Sequence, residues 1–295
     1  MAKRALITGA SGFIASHLAA KMSAKGWEIG LLVRPSSQLI SQLESMRSYS
    51  YDGTLTSIDQ CLQDFKPDVV FHLASLFLSE HQASDLSRLI ESNILLGTQL
   101  LESMAGHDVN KLVNTGTSWQ HFNSDQYCPV NLYAATKQAF EAILQYYIDA
   151  KGISCITLKL FDSYGPGDHR KKLVNILIDN IHTGTHLELS PGEQLIDLVY
   201  IDDVVHGFEI AADLLLNKSL LGHHSYGLSS GMRVSIQELV RIISRIGNKN
   251  INVSWTRPYR NREVMRPWEP PITLPGWNPI FSLERGLKKL LDSRS

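Results

Sequence analysis

Cysteine is scarce in this chain. Cys61, Cys128 and Cys155 are the only three among 295 residues, widely spaced and without a CxxC pair. An odd, scattered set excludes a disulfide framework and a structural zinc site built on cysteines. An excess of charge is lacking too: 28 Lys and Arg face 29 Asp and Glu, a net charge of -1. No global field draws the chain to nucleic acid or to an anionic membrane. Long apolar runs are missing as well. The longest, Val69 to Leu78, contains His72 and Ser75 and falls far short of the about 20 residues of a membrane span. Gly9 and Ser11 interrupt the first apolar run too early for a signal peptide. A soluble, cytoplasmic protein with reduced thiols is expected.

Hydrophobic residues make up 43% of the chain and charged residues 19%, which suits a packed core and excludes a disordered chain. Short apolar runs alternate with helical patterns through the first half. Ala5–Thr8, Trp27–Val33, Asp68–His72, Lys111–Thr115 and Ser154–Leu160 read as strands. Gly12–Lys25, Ser36–Met46, Asp85–Met104 and Leu132–Ala150 read as helices. This rhythm implies βαβ units with right-handed crossovers. The fold class is therefore α/β, a doubly wound parallel sheet of Rossmann-like form.

After Tyr164-Gly165-Pro166-Gly167 the segments become shorter and more polar, and six of the 11 prolines crowd into 258–279. Residues 1–165 are expected to form the dinucleotide-binding domain and 166–295 a smaller substrate-binding lobe at the sheet's C-terminal edge. Leu195–Ile201 and His224–Leu228 read as strands that return to the main sheet. No internal repeat or low-complexity tract is present.

Thr8-Gly9-Ala10-Ser11-Gly12-Phe13-Ile14-Ala15 joins the first strand to the first helix. Glycines there let the backbone turn tightly and approach a pyrophosphate, while free N–H groups at the helix start face the phosphates. The strand–loop–helix context gives this otherwise weak motif its meaning. An NAD site usually places an acid at the end of the second strand, to bind the ribose 2′-OH. Gly30 to Ser37 contains none. Arg34, with the hydroxyls of Ser36 and Ser37, suits a 2′-phosphate instead, so NADP(H) is the expected cofactor.

Tyr133 and Lys137 stand i, i+4 on one face of the second long helix. A tyrosine must lose about three units of its pKa of about 10 to exchange protons near neutrality. An ammonium about 4 Å away supplies energy of that order in a partly shielded site. The preceding strand ends in Asn114-Thr115-Gly116-Thr117-Ser118, which can place hydroxyls beside the tyrosine.

Together these features resemble the extended short-chain dehydrogenase/reductase family, and within it the nucleotide-sugar epimerases, dehydratases and 4-ketosugar reductases. The similarity runs along nearly the whole chain. It also rests on Phe71-His72-Leu73-Ala74, Asn93 with Gly97-Thr98, and Leu160-Phe161-Asp162-Ser163-Tyr164-Gly165-Pro166-Gly167. Tyr200-Ile201-Asp202-Asp203-Val204, Arg266-Pro267 and Gly276-Trp277-Asn278-Pro279 complete it.

The resemblance implies that Gly9, Ser11, Gly12, Phe13 and Ile14 line the pyrophosphate and that Asp52 and Gly53 lie near the adenine. Leu73, Ala74 and Ser75 match the strand end beside the riboses, and Lys137 the lysine that holds the nicotinamide ribose. Asn93 matches a structural or cofactor-side position. Thr117 matches the catalytic hydroxyl, with Ser118 one register away. The implied substrate contacts are Ser118, Trp119, Asp162, Lys172 and Arg266. A second family arginine would fall at Ile196, where Lys171, Lys172, Arg260 or Arg262 could substitute. Asp202 and Asp203 are expected to cap the following helix. No metal site is expected: His182 and His186 enclose Gly184, and His223 and His224 are merely adjacent.

Three chemistries share this scaffold. The family's dehydratases place Asp-Glu after the catalytic threonine, whereas Ser118-Trp119 follows here. Its epimerases carry the acid that Arg34 replaces. The expected activity is thus NADPH-dependent reduction of the C4 carbonyl of a nucleotide-linked 4-keto-6-deoxy or 3,6-dideoxy hexose, CDP- or dTDP-linked, for surface polysaccharide. An NAD-dependent nucleotide-sugar epimerase is the alternative. A non-enzymatic NADP-sensing regulator is a third reading, although such proteins tend to lose the Tyr–Lys pair. The family's dimers imply a homodimer through the helices 85–104 and 132–150.

Overall fold

The computed structural model describes residues 2–217 and 220–294. The first half contains β1 (Arg4–Thr8), α1 (Phe13–Ala24), β2 (Glu28–Val33), β3 (Arg47–Ser50), α2 (Leu55–Phe65) and β4 (Val69–His72). It continues through α3 (Leu86–Ile90), a π turn at Glu91–Leu95, α4 (Leu96–Gly106), β5 (Lys111–Thr117), α5 (Leu132–Lys151) and β6 (Ser154–Leu160). The second half contains β7 (Asp162–Tyr164), α6 (Leu173–Thr183), β8 (Leu187–Glu188), β9 (Leu195–Tyr200) and α7 (Ile201–Leu216). It closes with β10 (His223–Leu228), β11 (Arg233–Ser235), α8 (Ile236–Ile246), β12 (Val253–Ser254) and α9 (Leu283–Asp292).

Seven parallel strands form the main sheet in the order β10-β6-β5-β4-β1-β2-β3. Alternate residues of its central strands serve two cores. Leu6, Val70, Leu112 and Cys155 pack with Leu100, Phe140 and Leu144 of α4 and α5. Ile7, Phe71, Val113 and Ile156 pack with Leu18 of α1 and Phe208 of α7. The chain leaves β1 toward β2 on one side and reaches β4 on the other. The crevice above that reversal is where such sheets take ligands.

The structure corrects several sequence expectations. Ser36–Met46 forms only one short turn at Ser41–Leu43, and the polar segment Arg47–Ser50 is an edge strand, held by Tyr49 against Phe65 at 6.0 Å. Leu195–Ile201 does not return to the main sheet. β9 pairs with β7 and β11 in a separate three-stranded sheet, because β10 already occupies the free edge of β6. The expected return of His224–Leu228 is found as β10. The main sheet thus draws α7 and β10 from beyond residue 165. Asp203 does not serve as the N-cap of α7. It lies in the first turn, and its carboxylate accepts the N–H groups of Ile280 and Phe281, fastening the C-terminal segment.

Candidate active site

Two cavities open at the carboxyl ends of the main strands. The first, about 750 Å³, is lined by Gly9, Ser11, Gly12, Arg34, Ser36, Ser37, Asp52, Gly53, Leu73, Ala74 and Ser75. The structure therefore brings together most of the residues expected at a dinucleotide. Gly9 has φ +75°, and a Cβ there would meet the backbone of Ala74 at 2.7 Å, so the loop closes tightly against the end of β4. Gly12 precedes α1 and no side chain caps that helix, which leaves its first N–H groups for an anion. Phe13 and Ile14, expected there, do not line the cavity: Phe13 is buried in the core, with its ring under the Arg170 guanidinium at 4.7 Å. Tyr51, Arg88 and Glu91 also line the cavity. No spacing argument singled them out, because Arg88 and Glu91 come from a helix more than 30 residues further along the chain.

The second cavity, about 510 Å³, is lined by Phe77, Ser118, Trp119, His121, Asp162, Lys171, Lys172, Arg257 and Arg260 among others; Tyr133 and Lys137 of α5 line neither cavity. Asn131 starts α5: its side chain accepts the Ala134 N–H at 3.0 Å and donates to the carbonyls of Leu78 and Ser79. That double attachment sets the first turn, and with it Tyr133, against the loop that follows β4. Asn93 completes the clamp. Fully buried, it accepts from Leu76 N–H and the Ser75 hydroxyl and donates to Leu76 O and Thr136 Oγ1. These bonds tie the loop after β4 to α5.

Burial pushes the Tyr133 phenol up to about 12, against the opposing pull of a hydrogen bond with Ser75 and of the Arg170 charge. The phenol is thus held in its protonated form, contrary to the lowering expected from Lys137 alone. Lys137 is 1% exposed, and its Nζ has no hydrogen-bond partner among the described residues. Burial lowers its pKa to about 8, and the Glu141 carboxylate raises it in part. A buried ammonium without a partner is costly. A ribose hydroxyl pair suits it, so the residues present fit the dinucleotide.

Three hydroxyls end β5. Thr117 Oγ1 accepts the Trp119 N–H at 3.3 Å, and Thr117 N–H donates to Gln120 Oε1, whose amide donates to Gln138 and Glu141 of α5. Ser118 lines the second cavity; Thr117 does not. Thr115, on the same strand face as Thr117, carries a buried hydroxyl with no partner among the described residues. Sequence reasoning passed it over, although it stands in the quoted strand end.

Asp162 and Lys172 face the cavity but pair with each other at 3.2 Å. Arg266 is exposed and lies outside the cavity lining. Ile196 does line it, and the cations nearby are Lys171, Lys172, Arg257 and Arg260. Arg262 is engaged elsewhere, donating to the carbonyls of Pro129 and Val130.

Residues 5–218 match the model of the NAD dependent epimerase/dehydratase family. The chain belongs to that family. As a member it is an enzyme of the extended short-chain dehydrogenase/reductase type. It is 30% identical over 268 residues to a CDP-abequose synthase of Yersinia pseudotuberculosis, covering 90% of this chain and 91% of the relative. A CDP-abequose synthase of Salmonella typhimurium is 26% identical over 97% of this chain and 96% of its own. Among solved structures, a UDP-glucose 4-epimerase of Thermotoga maritima with UDP-glucose superposes with a TM-score of 0.87 at 22% identity, over 99% and 98% of the two chains. One from Thermus thermophilus with NAD gives 0.85 at 24%, over 98% of each. These two likenesses speak for the fold alone. Among the described residues no helix is long and apolar enough to cross a membrane.

Proposed function

We propose that this family member is an NADPH-dependent reductase of the C4 carbonyl of a nucleotide-linked 4-keto-6-deoxy or 3,6-dideoxy hexose. The observation that carries the cofactor choice is Arg34, which lines the dinucleotide crevice with Ser36 and Ser37 at the end of β2, where no carboxylate stands. A guanidinium and two hydroxyls match a 2′-phosphate. The relatives named CDP-abequose synthase support a CDP-linked deoxysugar as substrate.

NADPH, when bound, supplies the hydride. Lys137 holds the nicotinamide ribose. Tyr133, a phenol protonated at neutral pH, donates its proton to the oxygen that becomes the alcohol. We assign the second hydrogen bond to that oxygen to Thr117 at the end of β5. Its oxygen accepts the Trp119 N–H, and its O–H remains a donor; Ser118, one residue on, lines the second cavity and is the alternative hydroxyl. Lys171 and Arg257 of the second cavity's lining are the cations we assign to the diphosphate, Arg260 being paired with Glu263. We infer a cytoplasmic homodimer, as the family resemblance implies.

Oxidation of NADPH, followed spectroscopically with CDP- and dTDP-linked 4-keto-6-deoxyhexoses, tests the reading. Consumption of NADPH in step with sugar reduction is expected. Tight NAD that leaves the enzyme only on denaturation, with interconversion of C4 epimers, would overturn it in favour of an epimerase.

A further inference from the structure

Phe77 is 44% exposed, a large fraction for a phenylalanine, and it faces the second cavity. Its ring meets Tyr133 edge-on with centroids 5.0 Å apart, and Trp119 at 5.5 Å. The Lys172 ammonium, already paired with Asp162, lies 5.8 Å above the same ring. His121 adds to the wall without offering a free nitrogen: Nε2 lies 2.7 Å from Lys159 Nζ, and Nδ1 lies 3.1 Å from Gln126 O. Its ring stacks on Trp268 at 4.1 Å. Phe77 and Trp119 therefore give the cavity an aromatic side next to the Tyr133 ring.

We propose that Phe77 is a specificity-determining residue which selects sugars lacking a hydroxyl on the ring carbon beside the reacting carbonyl. This rests on the reductase reading above. The geometry follows from the chemistry. Tyr133 serves the oxygen on C4, so the atoms flanking C4 are those that come nearest Phe77. C5 carries a methyl group in a 6-deoxyhexose and suits an aromatic wall. C3 carries either a hydroxyl or two hydrogens. A hydroxyl turned toward Phe77 and Trp119 loses its water and finds no partner on the Phe77 ring. An apolar wall rejects an added hydroxyl by about a hundredfold at most. Phe77 thus weighs the 3-deoxy sugar over its 3-hydroxy counterpart and leaves nucleotide binding untouched.

The test compares kcat/KM for a CDP-linked 4-keto-3,6-dideoxyhexose and the corresponding 4-keto-6-deoxyhexose in the wild type, Phe77→Ser and Phe77→Leu. The wild type is expected to favour the dideoxy sugar by at least about tenfold. Phe77→Ser should reduce that ratio to near one, chiefly by gaining activity on the 3-hydroxy sugar, whereas Phe77→Leu should keep it. NADPH affinity and melting temperature, unchanged in both variants, show that the fold and the cofactor site persist. A ratio that Phe77→Ser leaves unaltered would overturn the inference and spare the reductase reading. Failure of the wild type to reduce either sugar would overturn that reading and the inference with it.

Discussion

The His72 Nδ1 lies 3.0 Å from the Thr8 hydroxyl oxygen, across the junction of β4 and β1. That oxygen also accepts the N–H groups of Leu73 and Ala74. Its single proton is therefore left for His72, whose Nδ1 must be the unprotonated nitrogen. The pair holds the end of β4 against the glycine loop, where the cofactor riboses are expected. His72 is fully buried, and burial with the nearby Lys137 charge lowers its pKa to about 3.

This depressed value makes the fold acid-sensitive. The unfolded chain protonates His72 near its ordinary value and the folded chain does not, so stability is complete above that value. It falls as pH drops through the interval down to about 3. The slope from this one group is about 1.4 kcal/mol per pH unit. Urea melts at pH 6.5, 5.5 and 4.5 should show it, and His72→Asn should flatten the dependence by about one proton. An unchanged slope in His72→Asn would refute the assignment.

Arg34→Ala should raise the Kd for NADPH by about tenfold to a hundredfold, the value of a charge-assisted contact to phosphate. NADH affinity should not change. Fluorescence titration with both cofactors measures it, and an equal effect on the two would remove the 2′-phosphate from the argument.

Tyr133→Phe should lower kcat by about a thousandfold, the usual scale for a lost proton donor, with NADPH binding intact. A regulator without catalysis would have no turnover to lose.

Thr117→Val should lower kcat by about a hundredfold and reduce the melting temperature, because its oxygen also secures the Ser118–Gln120 turn. Ser118→Ala should lower kcat less. Single-turnover hydride transfer with both variants separates the two. The reverse ranking would move the carbonyl contact to Ser118.

Lys137→Met should raise the melting temperature by a few degrees, since an unpaired buried ammonium destabilises the chain without its cofactor. Glu141 keeps its bond from Gln120 and the field of Lys159. NADPH affinity should fall by at least about tenfold. A lower melting temperature would mean that Lys137 is satisfied within the protein.

The parallel sheet is legible in the sequence because strands buried on both faces tend to be apolar throughout, and Ala5-Leu6-Ile7 and Val69-Val70-Phe71 carry that pattern plainly. Helical spacing alone puts Tyr133 and Lys137 on one face, and the glycine loop marks the crevice. Local patterning does not foresee β3, since Arg47–Ser50 is polar and depends on Tyr49 meeting Phe65. Nor does it foresee the partners of β9, which are decided by β10 filling the edge of β6. The same limit applies at the site. Residue types announce a phosphate loop and a proton donor. The unpartnered atoms of Thr115 and Lys137, the engagement of Arg262 with the 129–130 carbonyls and the Phe77 wall beside Tyr133 arise only when distant segments pack. A sequence encodes which side chains can bury or bond; which of them are left without a partner is decided by the neighbours that the fold supplies.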